Sequence, residues 1–185
     1  MRTNNNSPVK VTWKLARDAS GKALKLDYEI ENRTTAQIYV LDQLVTTSTP
    51  GYEVLPDRVI VRGGPDDATA SLFLGFMDPP PGVAVEVEPM PVARVVAAGA
   101  KLTGAKTVPL PVAAWHPYIQ YMQPLAATPT KAILEISWLP DKLPEHVTAA
   151  WEDYPSASGG KLRLPTRAYV VNAQQLARGD TLEIP

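Results

Sequence analysis

The strict alternation of Leu24, Leu26, Tyr28 and Ile30 with Lys25, Asp27, Glu29 and Glu31 constrains this chain more than any other feature. A period of two puts every apolar side chain on one face of an extended strand and every charge on the other, so the stretch reads as a half-buried β-strand. After a polar break at Asn32-Arg33-Thr34-Thr35, the run Ile38-Tyr39-Val40-Leu41 is apolar on both faces, as a strand covered on both sides would be. Upstream, Val9, Val11, Trp13 and Leu15 alternate with Lys10, Thr12 and Lys14, and Asp18-Ala19-Ser20-Gly21 supplies the residues of a tight turn. The first two strands therefore pair antiparallel. Their parity sets Lys10 and Lys14 on the same face as Asp27, Glu29 and Glu31, where charges of opposite sign support the register.

The remaining chain is punctuated by turn residues. Tyr52 to Leu55 and Val59 to Arg62 read as short strands about Pro56-Asp57, and Ala70, Leu72, Leu74 and Phe76 alternate after the loop Gly63-Gly64-Pro65-Asp66-Asp67. That strand stops at Asp78-Pro79-Pro80-Pro81-Gly82, an extended polyproline-like segment. Further strands are expected at Val83 to Val87, at Val92 to Ala98, and through a hairpin at Thr103-Gly104 into Thr107 to Leu110. Ala132 to Leu139 is another, and Tyr169 to Leu176 with Thr181 to Ile184 reads as a closing hairpin about Arg178-Gly179-Asp180. Between Pro144 and Pro155, Val147, Ala150, Trp151 and Tyr154 match helical spacing, and a strand from Val147 to Trp151 fits nearly as well. Nineteen prolines in 185 residues, against an ordinary share of about 5%, disfavour long helices. The expected fold is an all-β antiparallel sandwich of immunoglobulin-like type with about ten strands. A closed β-barrel is the alternative. The immunoglobulin Cys…Trp…Cys signature is absent, and the assignment rests on strand pattern alone. Residues 1–8 are expected to be a flexible polar terminus and residues 9–185 a single domain.

Composition narrows the function classes. The chain has no cysteine, which removes disulfides, thiolate nucleophiles and cysteine-ligated metals together. Eighteen basic and nineteen acidic residues are interspersed, with a formal net charge of -1, so no footprint for nucleic acid is expected. No apolar run reaches the length of a membrane span, and Asn4-Asn5-Asn6-Ser7 stands where a signal peptide would need a hydrophobic stretch. Membrane insertion is not expected, and a cytoplasmic location is, unless a leader has been removed.

Local motifs offer little catalytic chemistry. Gly99-Ala100-Lys101-Leu102-Thr103-Gly104-Ala105-Lys106-Thr107 approaches a phosphate-cradling loop, but Ala105 separates the second glycine from the lysine. Pro109 and Pro111 forbid the helix that should follow. The two histidines, His116 and His146, have no zinc-binding spacing, and no serine stands in a nucleophile-elbow sequence. Asp66-Asp67 and Glu152-Asp153 are pairs of the kind that serve glycosidases or calcium sites, and that surface turns carry routinely. Asn32-Arg33-Thr34 and Asn5-Asn6-Ser7 match the glycosylation pattern. No cofactor and no metal are expected.

The densest aromatic segment is Trp115-His116-Pro117-Tyr118-Ile119-Gln120-Tyr121-Met122. Trp115, His116, Tyr118 and Tyr121 are the candidate ligand or partner residues, with Tyr118 facing outward because its parity opposes that of Trp115 and Tyr121. The expected function is a non-enzymatic protein-interaction module that uses strand edges and proline-rich loops. Carbohydrate binding or glycoside processing is the alternative, and an inhibitor-like loop at Asp78 to Gly82 a further one. A solvent-facing Trp115 and Tyr118 would favour sugar, and a bare strand edge would favour protein. For the first hairpin, Trp13→Ala is expected to cost about 3–5 kcal/mol in urea denaturation and Lys14→Ala under about 1 kcal/mol; equal costs would mean that the faces are reversed.

Overall fold

The computed structural model describes residues 7–48, 51–79, 90–117 and 124–185. The strands in chain order are β1 (Val9–Arg17), β2 (Ala23–Asn32), β3 (Ile38–Ser48), β4 (Gly51–Leu55), β5 (Ile60–Gly63) and β6 (Thr69–Leu74). They continue with β7 (Val92–Val96), β8 (Lys101–Pro109), β9 (Lys131–Pro140), β10 (Trp151–Pro155) and β11 (Lys161–Pro165). The helix α1 (Arg167–Ala173) precedes β12 (Gln175–Glu183). Strands dominate, and the sheets pack against each other.

The first hairpin forms in the register its pattern requires. Trp13 lies opposite Tyr28 and Lys14 opposite Asp27, with a Lys14–Asp27 ion pair at 3.5 Å. Gly21 closes the turn at φ 67°, and the Asp18 carboxylate accepts from the Lys22 and Ala23 N–H groups. β8 joins the other side of β2 to complete a three-stranded sheet. Its inner face carries Val9, Val11, Trp13, Leu24, Leu26, Tyr28, Ile30 and Val108. These pack on Val40, Val61, Leu72, Leu74, Leu134, Ile136 and Trp138 of the larger sheet, which curls like half a barrel. On the far face of the larger sheet, the β10–β11 hairpin and α1 enclose a second core of Leu41, Val45, Tyr52, Leu139, Leu164, Tyr169 and Val170.

Several expectations are corrected. Thr103-Gly104 is not a turn: β8 runs straight through it and pairs with β2, while β7 pairs with β3 in the other sheet. Gly104 is needed there because a Cβ would overlap the phenol of Tyr28. The phosphate-loop reading of the same residues has no loop to rest on. β6 pairs parallel with β9, Thr69 opposite Lys131 through Leu74 opposite Ile136, so the sheet is mixed rather than purely antiparallel. All six residues of β6 are buried, in keeping with cover on both faces. Tyr169 to Ala173 is helical, because Thr166 caps the helix by accepting from the Tyr169 N–H and the buried Tyr169 and Val170 seat it on the sheet. β12 then continues through Arg178-Gly179-Asp180 as a bulge, with a register shift between Arg178 and Thr181. Neither reading of the region between Pro144 and Pro155 holds: it contains no helix, and its strand is β10, which begins only at Trp151. The strand expected at Val83 to Val87 lies outside the described residues.

The chain changes sheets at one corner, and Asn32 ties it. Its fully buried side-chain amide donates to the carbonyls of Ala36, Val96 and Ala97 at 2.9, 3.0 and 3.0 Å, and its Oδ1 accepts from the Thr34 N–H at 2.9 Å. Its own N–H donates to Ala100 and its carbonyl accepts from Gly99. The β2–β3 and β7–β8 crossovers are thereby held together, and the asparagine of the Asn32-Arg33-Thr34 pattern is inaccessible to glycosylation in the folded chain. Asn32→Ala is expected to cost about 2–4 kcal/mol, since it strands several buried carbonyls. Asn32→Asp should cost as much, because a carboxylate cannot donate. A loss below about 1 kcal/mol in urea denaturation of either variant would show that the corner does not depend on the amide.

Candidate functional site

The ladder geometry of β1 exposes a main-chain edge. Pro8 accepts from the Arg33 N–H at 2.9 Å and the Asp18 N–H donates to Ala23 at 2.9 Å, so the even-numbered residues of β1 exchange bonds with β2. The odd-numbered Val11, Trp13 and Leu15 direct their N–H and C=O groups the other way. Among the described residues no strand other than β2 forms a ladder with β1. Three other strands have edge contacts outside the ladders. Val61 of β5 exchanges two bonds with Trp115 at 2.8 and 2.9 Å, Tyr52 of β4 accepts from Ala157, and on β8 Thr107 donates to Asp57 while Thr103 accepts from Arg94.

The bare edge of β1 lines a groove of about 470 Å³ whose opposite wall is β12, with Leu176, Arg178, Asp180 and Leu182. The indole Nε1–H of Trp13 donates to the Asp180 carbonyl at 2.8 Å and pins the two strands at that point. Gly179 permits this approach, since a Cβ would strike the indole ring. Leu176 is 41% exposed, an uncovered apolar side chain on the groove wall. Lys10 and Arg33 line the β1 side, Arg33 paired with Glu31 at 3.2 Å.

Two buried polar clusters flank the core. In one, the fully buried Asp42 accepts from the Tyr28 hydroxyl at 2.6 Å and from Arg94 Nε at 2.9 Å, with a further bond from the Arg94 terminal nitrogen. Burial and then the Asp42 charge push the Tyr28 hydroxyl far above the ordinary tyrosine range. Nearby, Lys106 donates to the Pro56 carbonyl, and its burial holds it below the usual lysine range. In the other cluster Glu135 accepts from Ser71 at 2.6 Å, Arg62 at 2.8 Å and Arg178 at 2.7 Å. Burial alone would raise the Glu135 carboxyl, but the bonds from Ser71 and Arg62 outweigh it and hold the group below the usual range. The carboxylates of both clusters are held by donors from neighbouring strands, which they connect. The pattern reading missed them, although an aspartate inside Leu41-Asp42-Gln43-Leu44-Val45 and an arginine inside Val92-Ala93-Arg94-Val95-Val96 were the available signals.

Trp115 is half-buried between the cores, with the Arg58 guanidinium 5.3 Å from its ring centroid. His116 is buried on the outer face of the larger sheet, beside Leu44, Val45, Ile60 and Met77. Tyr118 and Tyr121 lie outside the described residues, as does most of the Asp78 to Gly82 loop. Among the described residues no three His, Asp or Glu side chains gather as a metal site, and no helix is long and apolar enough to cross a membrane.

Burial, with the charge of Arg62, pushes His116 down from 6.5 to about 4. A group whose folded value is depressed contributes stability above its unfolded value and loses it as the pH falls. Its contribution should therefore disappear between pH 6.5 and pH 4, by at most about 3 kcal/mol. His116→Gln should flatten this part of the stability curve, measured by urea denaturation at a series of pH values; an unchanged slope would show that the imidazole charges freely in the folded state.

Compared with known protein families, with curated proteins and with solved structures, the chain matches none, so its function is read from the geometry of the β1–β12 groove.

Proposed function

We propose that the chain is an immunoglobulin-like β-sandwich acting as a non-enzymatic protein-interaction module, which takes an extended segment of a partner along the edge of β1. The observation that supports this reading is the edge of β1, which among the described strands ladders with β2 alone and runs beside the groove against β12. Strand addition satisfies such groups directly, and alternate side chains of the guest then fill the groove. The half-buried setting of Trp115 beneath Arg58 lends less support to a flat sugar platform than the bare edge lends to a strand.

A photo-crosslinking side chain introduced at Leu176, on the groove wall, should trap a partner protein in native cells. The same group at Val171, 48% exposed on α1, should not. Hydrogen exchange checks the edge itself: the Val11 and Trp13 amides should exchange faster than those of Lys10, Thr12 and Lys14, which sit in the ladder, and should be protected when the partner binds. Equal trapping from both positions, or none from Leu176, would sink the reading.

A further inference from the structure

We infer that Gly179 and Asp180 of β12 form a latch on Trp13, which opens and shuts the seam between β1 and β12 while the rest of β12 stays on β9. The register of β12 with β9 skips these two residues, breaking off at Arg178 opposite Glu135 and resuming at Thr181 opposite Ile133. A bulge thus frees them from the ladder that holds their neighbours. Their contacts run instead to the other sheet. The Trp13 indole Nε1–H donates to the Asp180 carbonyl at 2.8 Å, and the indole lies where a Gly179 Cβ would be. Among the described residues no ladder joins β1 to β12, and a groove of about 470 Å³ lies along the seam.

The flanks of the bulge set the limits of its motion. Upstream, Ala177 sits in the core and Arg178 Nε donates to Glu135 at 2.7 Å. Downstream, Leu182 packs on the same core and the Ile184 N–H donates to Thr130 at 2.8 Å. Displacing the bulge therefore breaks one side-chain hydrogen bond and the glycine–indole contact, and leaves the β9–β12 ladder whole. A single neutral hydrogen bond shifts an equilibrium by only about tenfold, and openings that break so little lie at the low end of a protein's range of local fluctuations. Glycine at 179 is what allows the latch to shut, since a side chain there would drive the bulge and the indole apart. In the reading that β1 receives a strand, this contact gives way first, and the latch governs how readily the edge is reached.

Hydrogen exchange of the Trp13 indole, followed by nuclear magnetic resonance on the full chain, reads the latch, because the four tryptophans give separate indole signals. In the unaltered chain this proton should be protected at least about tenfold less than the main-chain amides of Leu26 and Tyr28 in β2, the central strand of its sheet. Its exchange should also be nearly indifferent to low concentrations of urea, because a small opening exposes little surface. Gly179→Ala should lower its protection about tenfold further while the β2 amides hold theirs. Asp180→Ala, which keeps the accepting carbonyl, should leave it unchanged. Indole protection equal to that of β2, with the same urea dependence, would show that the seam opens only when the protein unfolds and would overturn the latch; that measurement needs no variant. Protection unaltered by Gly179→Ala in a folded chain would overturn it as well. Neither result bears on β1 as a receiving edge, which stands or falls by trapping from Leu176.

Discussion

The buried amide of Asn32 is the contact on which the rest of the architecture depends. The chain leaves the three-stranded sheet after β2 and returns to it at β8, and both passages meet at this side chain. A crossover exposes carbonyls that no ladder can satisfy, and within a core such groups cost far more unpaired than they return when paired. One short side chain that both donates and accepts removes that cost for two crossovers together. It also sets which strand of each sheet lies over which, and so where the interior residues of the two sheets meet.

Within that frame, Asp42 and Arg94 play a different part. A buried ion pair adds little net stability, because desolvation offsets its attraction, whereas an unpaired member would be costly. The pair sits in the larger sheet, and it reaches the smaller one through the Tyr28 hydroxyl and the Thr103 carbonyl. Its contribution is specificity. A slip of either sheet by one residue would separate the carboxylate from its donors, and Gly104 keeps open the space the Tyr28 ring needs. Glu135, Ser71, Arg62 and Arg178 do the same across β5, β6, β9 and β12 on the far face.

The free edge of β1 follows from how the two sheets meet. The β8 edge is used by Asp57 and Arg94, and β5 by Trp115. β12 runs beside β1 without a ladder between them, and Trp13 meets Asp180 and Gly179 there. The two packed sheets thus leave a seam between β1 and β12 with no ladder across it among the described residues.

By itself the sequence determined the features that a period of two can encode. The inner and outer faces of the first hairpin, its turn at Gly21 and the pairing of lysines with acids across it all stand as read, because neighbouring residues alone decide them. Only the tertiary structure decided which strands pair at long range. The parallel partnership of β6 and β9, the straight passage of β8 through Thr103-Gly104 and the separation of β7 from β8 leave no local trace. Tyr169-Val170-Val171 looks like a strand by propensity, yet the Thr166 cap and the pocket for Tyr169 make it helical. The site followed the same division. The aromatic run drew attention to Trp115 and His116, which the fold buries wholly or in part, while the β1 edge is a candidate only because no described strand but β2 forms a ladder with it.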